Sequence, residues 1–214
     1  ETGPATLSAE DFPGACYMFW STYQRKRDAI LPGQTCQMQL HRRLWDFLDV
    51  EVQGETISVE RSFHYAAAAL WLLLRLGGVG ARVRRGGGIL RSTEQPTGWP
   101  ESVPSPVSRA ATPDQLAAEL AAGLNAIRRS VPWQTSAPAT VSSFDVLHPG
   151  VCQVFVADRT FPTWWEALDW AGRLLQEFRR SHVGDASAIA QLLTRGSMTV
   201  RRIQRAVLGL PLVF

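Results

Sequence analysis

Ala69-Leu70-Trp71-Leu72-Leu73-Leu74-Arg75-Leu76-Gly77-Gly78-Val79-Gly80-Ala81-Arg82-Val83-Arg84-Arg85-Gly86-Gly87-Gly88 joins two kinds of sequence at one point. Its first part belongs to an apolar run that begins near Phe63 and is rich in alanine and leucine, which predicts a helix over 63–76, apolar all round and therefore buried. Its second part holds six glycines and three arginines in twelve residues, Gly77 to Gly88. Glycine stops the helix at 77 and admits backbone conformations closed to other residues. Arginine presents a planar fork of donors suited to phosphate and to stacking on bases. The pattern predicts a loop that lies along a nucleic-acid backbone, with a buried helix before it and a strand at Ile89-Leu90 after it. The plainer alternative is a solvated basic turn.

Nucleotide-cofactor motifs do not fit this stretch. A P-loop needs lysine after its last glycine, and the single lysine of the chain is Lys26. A dinucleotide fingerprint would need glycine where Val83 stands, and strand where the sequence predicts helix.

Charge is concentrated in the same region. Residues 1–60 carry nine acids and five bases, 61–93 carry six arginines and no acid, and 94–214 carry ten acids and eleven bases. The overall +3 therefore arises from the glycine segment and its flanks, which points to an anionic partner. No apolar run is long enough to span a bilayer, so no membrane partner is expected. Cys16, Cys36 and Cys152 are far apart with no C-x-x-C, which supports neither a zinc site nor a disulfide framework and makes a reducing cytoplasm the default.

Outward from the central segment the periodicities alternate between strand and helix. Strands are predicted at Cys16–Trp20, at 34–42 where Cys36, Met38 and Leu40 alternate with polar residues, around Gly54 (Val50/Val52 and Ile57/Val59), at 144–147 and at 151–157. Thr112-Pro113-Asp114-Gln115 is a helix start whose stripe is Leu116, Leu120, Leu124 and Ile127. Thr163 and Glu166 have capping-box spacing before a second amphipathic helix striped by Trp164, Leu168, Ala171, Leu175 and Phe178. Trp165 falls off that stripe and is expected to cover a neighbour or meet a partner. Residues 93–113 contain five prolines and are expected to form a long loop.

The 69–88 segment resembles the glycine-rich segment of the RAMP superfamily of CRISPR proteins, and most closely that of the RAMP subunit numbered first in the type III-B (Cmr) effector complex. Two further blocks resemble the same family in the same order: Trp164, Ala167, Leu168, Gly172, Leu175, Phe178 and Arg179, and then Arg205-Ala206-Val207-Leu208-Gly209-Leu210-Pro211-Leu212, where Leu208 replaces the usual phenylalanine. The resemblance runs from about residue 16 to 214 and lacks the family's N-terminal segment. With the start at Glu1 and the apolar stop at Leu210–Phe214, this predicts a piece of a longer polypeptide.

The resemblance implies an α+β fold of ferredoxin-like (RRM-like) units, antiparallel sheet with helices on one face. Residues 1–92 would belong to a first unit with the glycine loop at 77–88, 93–142 would insert a loop and helix, and 143–214 would form a second, truncated unit. It implies a non-catalytic, cytoplasmic subunit of an antiviral effector, with CRISPR guide RNA, target RNA and other RAMP subunits as partners and no small-molecule substrate. No cofactor or metal is expected. The RNA-binding residues would be Gly77, Gly78, Gly80, Arg82, Arg84, Arg85, Gly86, Gly88 and Arg91. Two alternatives stay open: an RNA-binding segment of a fused multi-RAMP effector, and a CRISPR-RNA-processing endoribonuclease using His41, His64, His148 or His182 as general acid or base. Asp46, Asp49 and Glu51 form a short acidic cluster, for which a solvated surface explains more than a metal nuclease does.

Overall fold

A computed structural model describes residues 8–19, 33–41, 49–52, 55–80, 86–130, 153–182, 184 and 194. Among the described residues the chain is mostly helical: α1 Pro13–Met18, α2 Val59–Leu76, α3 Pro113–Ser130 and α4 Trp164–Ser181. Among the same residues strand is confined to β1 Val50–Val52 and β2 Glu55–Ile57, antiparallel with Val50 opposite Ile57 and Val52 opposite Glu55. The expected α+β ferredoxin-like (RRM-like) sheet with helices on one face is therefore wrong. Two strands of three residues offer no face on which a helix layer could pack.

Each failed strand has its own reason. Pro13-Gly14-Ala15 starts a helix through Cys16, because proline is pre-organised for a first turn and the small residues fit closely against α4. Residues 34–40 are exposed without strand pairing, Met38 at 57% and Leu40 at 44%. Alternation alone does not make a strand when no neighbour accepts its hydrogen bonds. Residues 153–157 and 89–90 likewise join no ladder. The segment 144–147 lies outside the described residues.

The chain divides into two compact units, one of Glu1–Thr35 with Phe161–Phe214 and one of Cys36–Thr160. In the first, α1 lies against α4 at a glycine crossing. A Cβ on Gly14 would overlap the Asp169 carbonyl, and one on Gly172 would overlap the Gly14 carbonyl. That proximity lets buried Asp169 accept from the Gly14 N–H (2.7 Å) and the Ala15 N–H (3.3 Å) through Oδ1, while Oδ2 accepts from Arg173 Nε at 2.6 Å. A carboxylate in contact with the first amides of a helix satisfies donors that have no partner within the helix itself. Ala15, Met18 and Leu168 form the small core, with Phe12, Phe19, Trp165 and Ala171 around it. Arg179 donates to the Tyr17 hydroxyl at 3.0 Å at the other end of the crossing.

In the second unit, α2 begins earlier than the apolar run suggests. Ser58 is its N-cap and accepts from the Arg61 N–H at 3.3 Å, so Val59 enters the helix and leaves the strand predicted for it. Nor is α2 buried all round. Ala67, Ala68 and Trp71 are buried on one face, whereas Ala66 and Ala69 are exposed. The α3 stripe follows the expectation: Leu120 and Ile127 are buried, with Leu116 and Leu124 packed beside them. Thr112 accepts from the Gln115 N–H at 3.3 Å, and the Gln115 side chain returns to the Ala111 N–H at 2.8 Å.

Trp71 is the centre of this core, 1% exposed. A Cβ on Gly123 of α3 would overlap its ring, so glycine is what lets the helix approach the indole. The indole N–H donates to the Ser105 carbonyl at 3.0 Å. The proline-rich segment 93–112 thus contributes Val103 and Pro106 to the buried interior, and the Trp99 indole N–H is shared between the Val103 and Pro104 carbonyls at 3.1 and 3.0 Å.

Candidate nucleic-acid interface

The glycine segment begins where α2 ends. Gly77 donates to the Leu73 carbonyl at 3.1 Å, with φ −113°, so it is glycine for want of space: a Cβ would stand 3.0 Å from the Leu73 carbonyl oxygen. Gly78 follows, half-buried. The Val79 N–H then donates to the Gly88 carbonyl at 2.8 Å and closes the stem of a loop. Gly88 has φ +71° and touches the Val79 carbonyl so closely that any side chain would overlap it. Gly80 and Gly86 adopt φ +105° and +78°, a region L-residues rarely enter. Nothing lies within 4 Å of where a Gly80 Cβ would project, so its backbone is open to a ligand.

Arg82, Arg84 and Arg85 lie outside the described residues. By sequence they fall between the two ends of the closed stem. Arg91, just beyond it, is exposed. Arg75, just before it, is not part of any outer surface. Its side chain is 9% exposed, with Nη2 2.6 Å from Glu119 Oε1 and 3.4 Å from the Ser105 carbonyl, and it stands over the Trp71 ring with Cζ 5.8 Å from the centroid. The glutamate's other oxygen accepts from Ser108 Oγ and the Arg109 N–H, both at 3.2 Å. The loop is thus anchored to α3 and to the proline-rich segment through the last turn of α2. Sequence reading counted Arg75 among the basic residues of 61–93, whereas the structure uses it as an internal tie. Glu119 was not singled out; its place on the polar flank of the Leu116/Leu120 stripe is the only sequence sign of the pair.

Two exposed aliphatic side chains flank the stem, Val79 at 55% and Ile89 at 64%. Because Val79 pairs with Gly88, Val79 and Ile89 are one residue apart across the closure.

The histidines considered for acid–base chemistry have local partners. His41 Nε2 is 2.9 Å from Gln39 Oε1, His64 Nδ1 is 3.2 Å from Ser102 Oγ, and His182 Nδ1 is 2.8 Å from the Phe178 carbonyl. His148 lies outside the described residues, as do Asp46 of the acidic cluster and the basic residues Arg195, Arg201, Arg202 and Arg205. Asp49 and Glu51 are exposed. Among the described residues no three His, Cys, Asp or Glu side chains are grouped to hold a metal ion, and no helix is long and apolar enough to cross a membrane.

The first unit has a shallow cleft of about 350 Å³ lined by Asp11, Phe12, Glu166, Asp169, Trp170 and Arg173. Asp169 is committed to α1 and Arg173, and Asp11 and Glu166 leave the mouth acidic, unsuited to phosphate. Trp164, placed on the apolar stripe by periodicity, is instead 38% exposed, while Trp165 turns inward towards Phe12 at 6.5 Å between ring centroids. Cys16 is buried beside this site. Burial, and then the Asp169 charge, push its thiol pKa up from 9.0.

The chain matches no protein-family model, no curated protein and no solved structure.

Proposed function

We propose that this chain is a non-catalytic RNA-binding protein that holds an RNA backbone on the loop 77–88, and that it works as a segment or subunit of an RNA-guided CRISPR effector. The observation that carries the first part is the closed stem. Val79 and Gly88 pin a glycine loop to the end of α2, inside a stretch of six arginines without an acid. A pinned loop loses less conformational entropy on binding than a free one. The positive-φ glycine at 80, with nothing within 4 Å of where a side chain would project, leaves backbone open to a phosphate. Arg82, Arg84, Arg85 and Arg91 would neutralise phosphates or stack on bases. The effector assignment rests on the sequence resemblance of the glycine segment to RAMP proteins, without their ferredoxin-like sheet. Guide RNA, target RNA and other RAMP subunits are the partners this reading calls for, in the cytoplasm.

The test is to tag the protein in its native cell, purify it gently, sequence the RNA and identify the proteins that accompany it. Short CRISPR-derived RNAs with RAMP subunits, lost from the Arg82→Ala/Arg84→Ala/Arg85→Ala variant, would support both parts. Other RNAs, lost from the same variant, would keep the RNA clamp and remove the effector. Protein without RNA would end the reading and leave the segment as a structural turn.

A further inference from the structure

We propose that the cleft of the first unit binds a small organic cation of the alkylammonium class, with Phe12 and Trp170 as its apolar walls and Asp11 and Glu166 as its counter-charges. The site uses no residue of the loop 77–88 and does not depend on the RNA reading. Asp11, Phe12, Glu166, Asp169, Trp170 and Arg173 line a volume of about 350 Å³, in the lower range of small-ligand sites. The walls are fixed by their own elements. The Phe12 N–H donates to the Ser8 carbonyl and the Phe12 carbonyl accepts from the Cys16 N–H, each at 2.9 Å. Trp170 rests against Phe161, with ring centroids 5.5 Å apart. The Thr163 hydroxyl accepts from the Glu166 N–H at 3.3 Å and sets the first turn of α4. Glu166 and Trp170 are four residues apart on that helix and share a face.

Charge selects the ligand. Three acids against one base leave the lining at −2. Asp169 is buried, and its oxygens are taken by the Gly14 and Ala15 amides and by Arg173. The excess therefore sits on Asp11 and Glu166, both exposed at the mouth and neither in an ion pair with a described residue. An anion is repelled there. A divalent metal ion is poorly served, because no three His, Cys, Asp or Glu side chains among the described residues are grouped as ligands. An alkylammonium uses both features of the cleft. Its methylenes cover the aromatic walls, and its nitrogen lies where the ring faces and the carboxylates attract the same charge.

The experiment uses the full chain labelled with nitrogen-15 and follows the tryptophan indole N–H signals by two-dimensional NMR, the Trp170 signal being identified from Trp170→Phe. The probes are n-butylammonium and its neutral analogue 1-butanol, at constant ionic strength. Butylammonium should shift the Trp170 signal saturably with a dissociation constant of about 1 mM, and butanol should not. In Asp11→Asn/Glu166→Gln the constant should rise about tenfold, from the loss of two exposed counter-charges. Both substitutions are near-isosteric and exposed, and an unchanged circular dichroism melt confirms the fold. Tighter binding of 1,4-diaminobutane than of N-acetyl-lysine methylamide would support a free amine as the source of the ammonium group, and the reverse order a lysine side chain. An equal response to butylammonium and butanol, an unchanged constant in the double variant, or no shift at all would overturn the proposal. So would calcium chloride saturating the same signal at a lower concentration than butylammonium.

Discussion

Replacing Glu119 by alanine is expected to destabilise the unit of Cys36–Thr160 by about 3 kcal/mol, because it strands a buried arginine. The Arg75 side chain is only 9% exposed, and losing its partner leaves a guanidinium that water reaches poorly. Breaking a buried pair typically costs about 3–5 kcal/mol. Two features lower the figure here. Glu119 is 28% exposed, and the pair is held end-on through Nη2, without hydrogen-bond alignment at Oε1 and without a partner on Arg75 Nε. The ion pair is therefore set at about 2 kcal/mol, and the lost acceptor for Ser108 Oγ and the Arg109 N–H adds about 1 kcal/mol. In a urea titration followed by far-ultraviolet circular dichroism, with a slope of about 2 kcal/mol/M, the midpoint should fall by about 1.5 M. Glu119→Gln keeps the shape and an acceptor and should lose about half as much. Arg75→Met with Glu119→Leu should recover most of the loss, since an apolar pair carries no desolvation cost. Because Arg75 stands two residues before Gly77, hydrogen exchange at the Val79 amide should quicken in Glu119→Ala. A midpoint shift under about 0.3 M, or additive single and double variants, would refute the claim that this pair holds the stem.

Gly172→Ala should lower the stability of the first unit by about 1–2 kcal/mol in a thermal melt, although helix propensity alone predicts a gain of about 1 kcal/mol, because the new methyl meets Gly14 backbone. A raised melting temperature would show that the crossing is not tight. In a Cys152→Ser background, native Cys16 should resist alkylation while exposed Cys36 reacts. The raised pKa of Cys16 also sets a pH trend: folding holds the thiol proton more tightly, so its stabilising share is complete below about pH 9 and is lost as pH rises through the higher folded value. The alkaline loss should be smaller in Cys16→Ala, and an identical pH profile would exclude it. Single-stranded RNA affinity should fall with salt at a log–log slope of about −3, if four arginines each meet one phosphate, and at about −1 after Arg82, Arg84 and Arg85 become alanine. An unaltered slope in that variant would place the electrostatic contact elsewhere.

Local signals carried as far as local physics does. The α3 and α4 starts at Thr112 and Thr163 follow the capping rules, because a hydroxyl accepting from the third amide onward needs only adjacent residues. The α3 stripe and the helix-to-glycine break at Gly77 were legible for the same reason. The hairpin at 50–57 was legible in outline, while its neighbour Val59 went to α2 once Ser58 capped it.

The sequence by itself determined where α3 and α4 start, where α2 stops, and that the basic excess gathers around 77–88. Only the tertiary structure decided which residues meet. Among the described residues the strand signals at 16–19 and 34–41 failed because a strand requires a partner that periodicity does not supply. Asp169 beneath α1, Gly123 beneath Trp71 and Glu119 against Arg75 join residues distant in sequence, and each depends on how closely two backbones approach. The same holds at the candidate interface. The glycines of 77–88 announced a loop, but its closure between Val79 and Gly88, and the withdrawal of Arg75 into the core, follow from packing around Trp71 that local sequence does not encode.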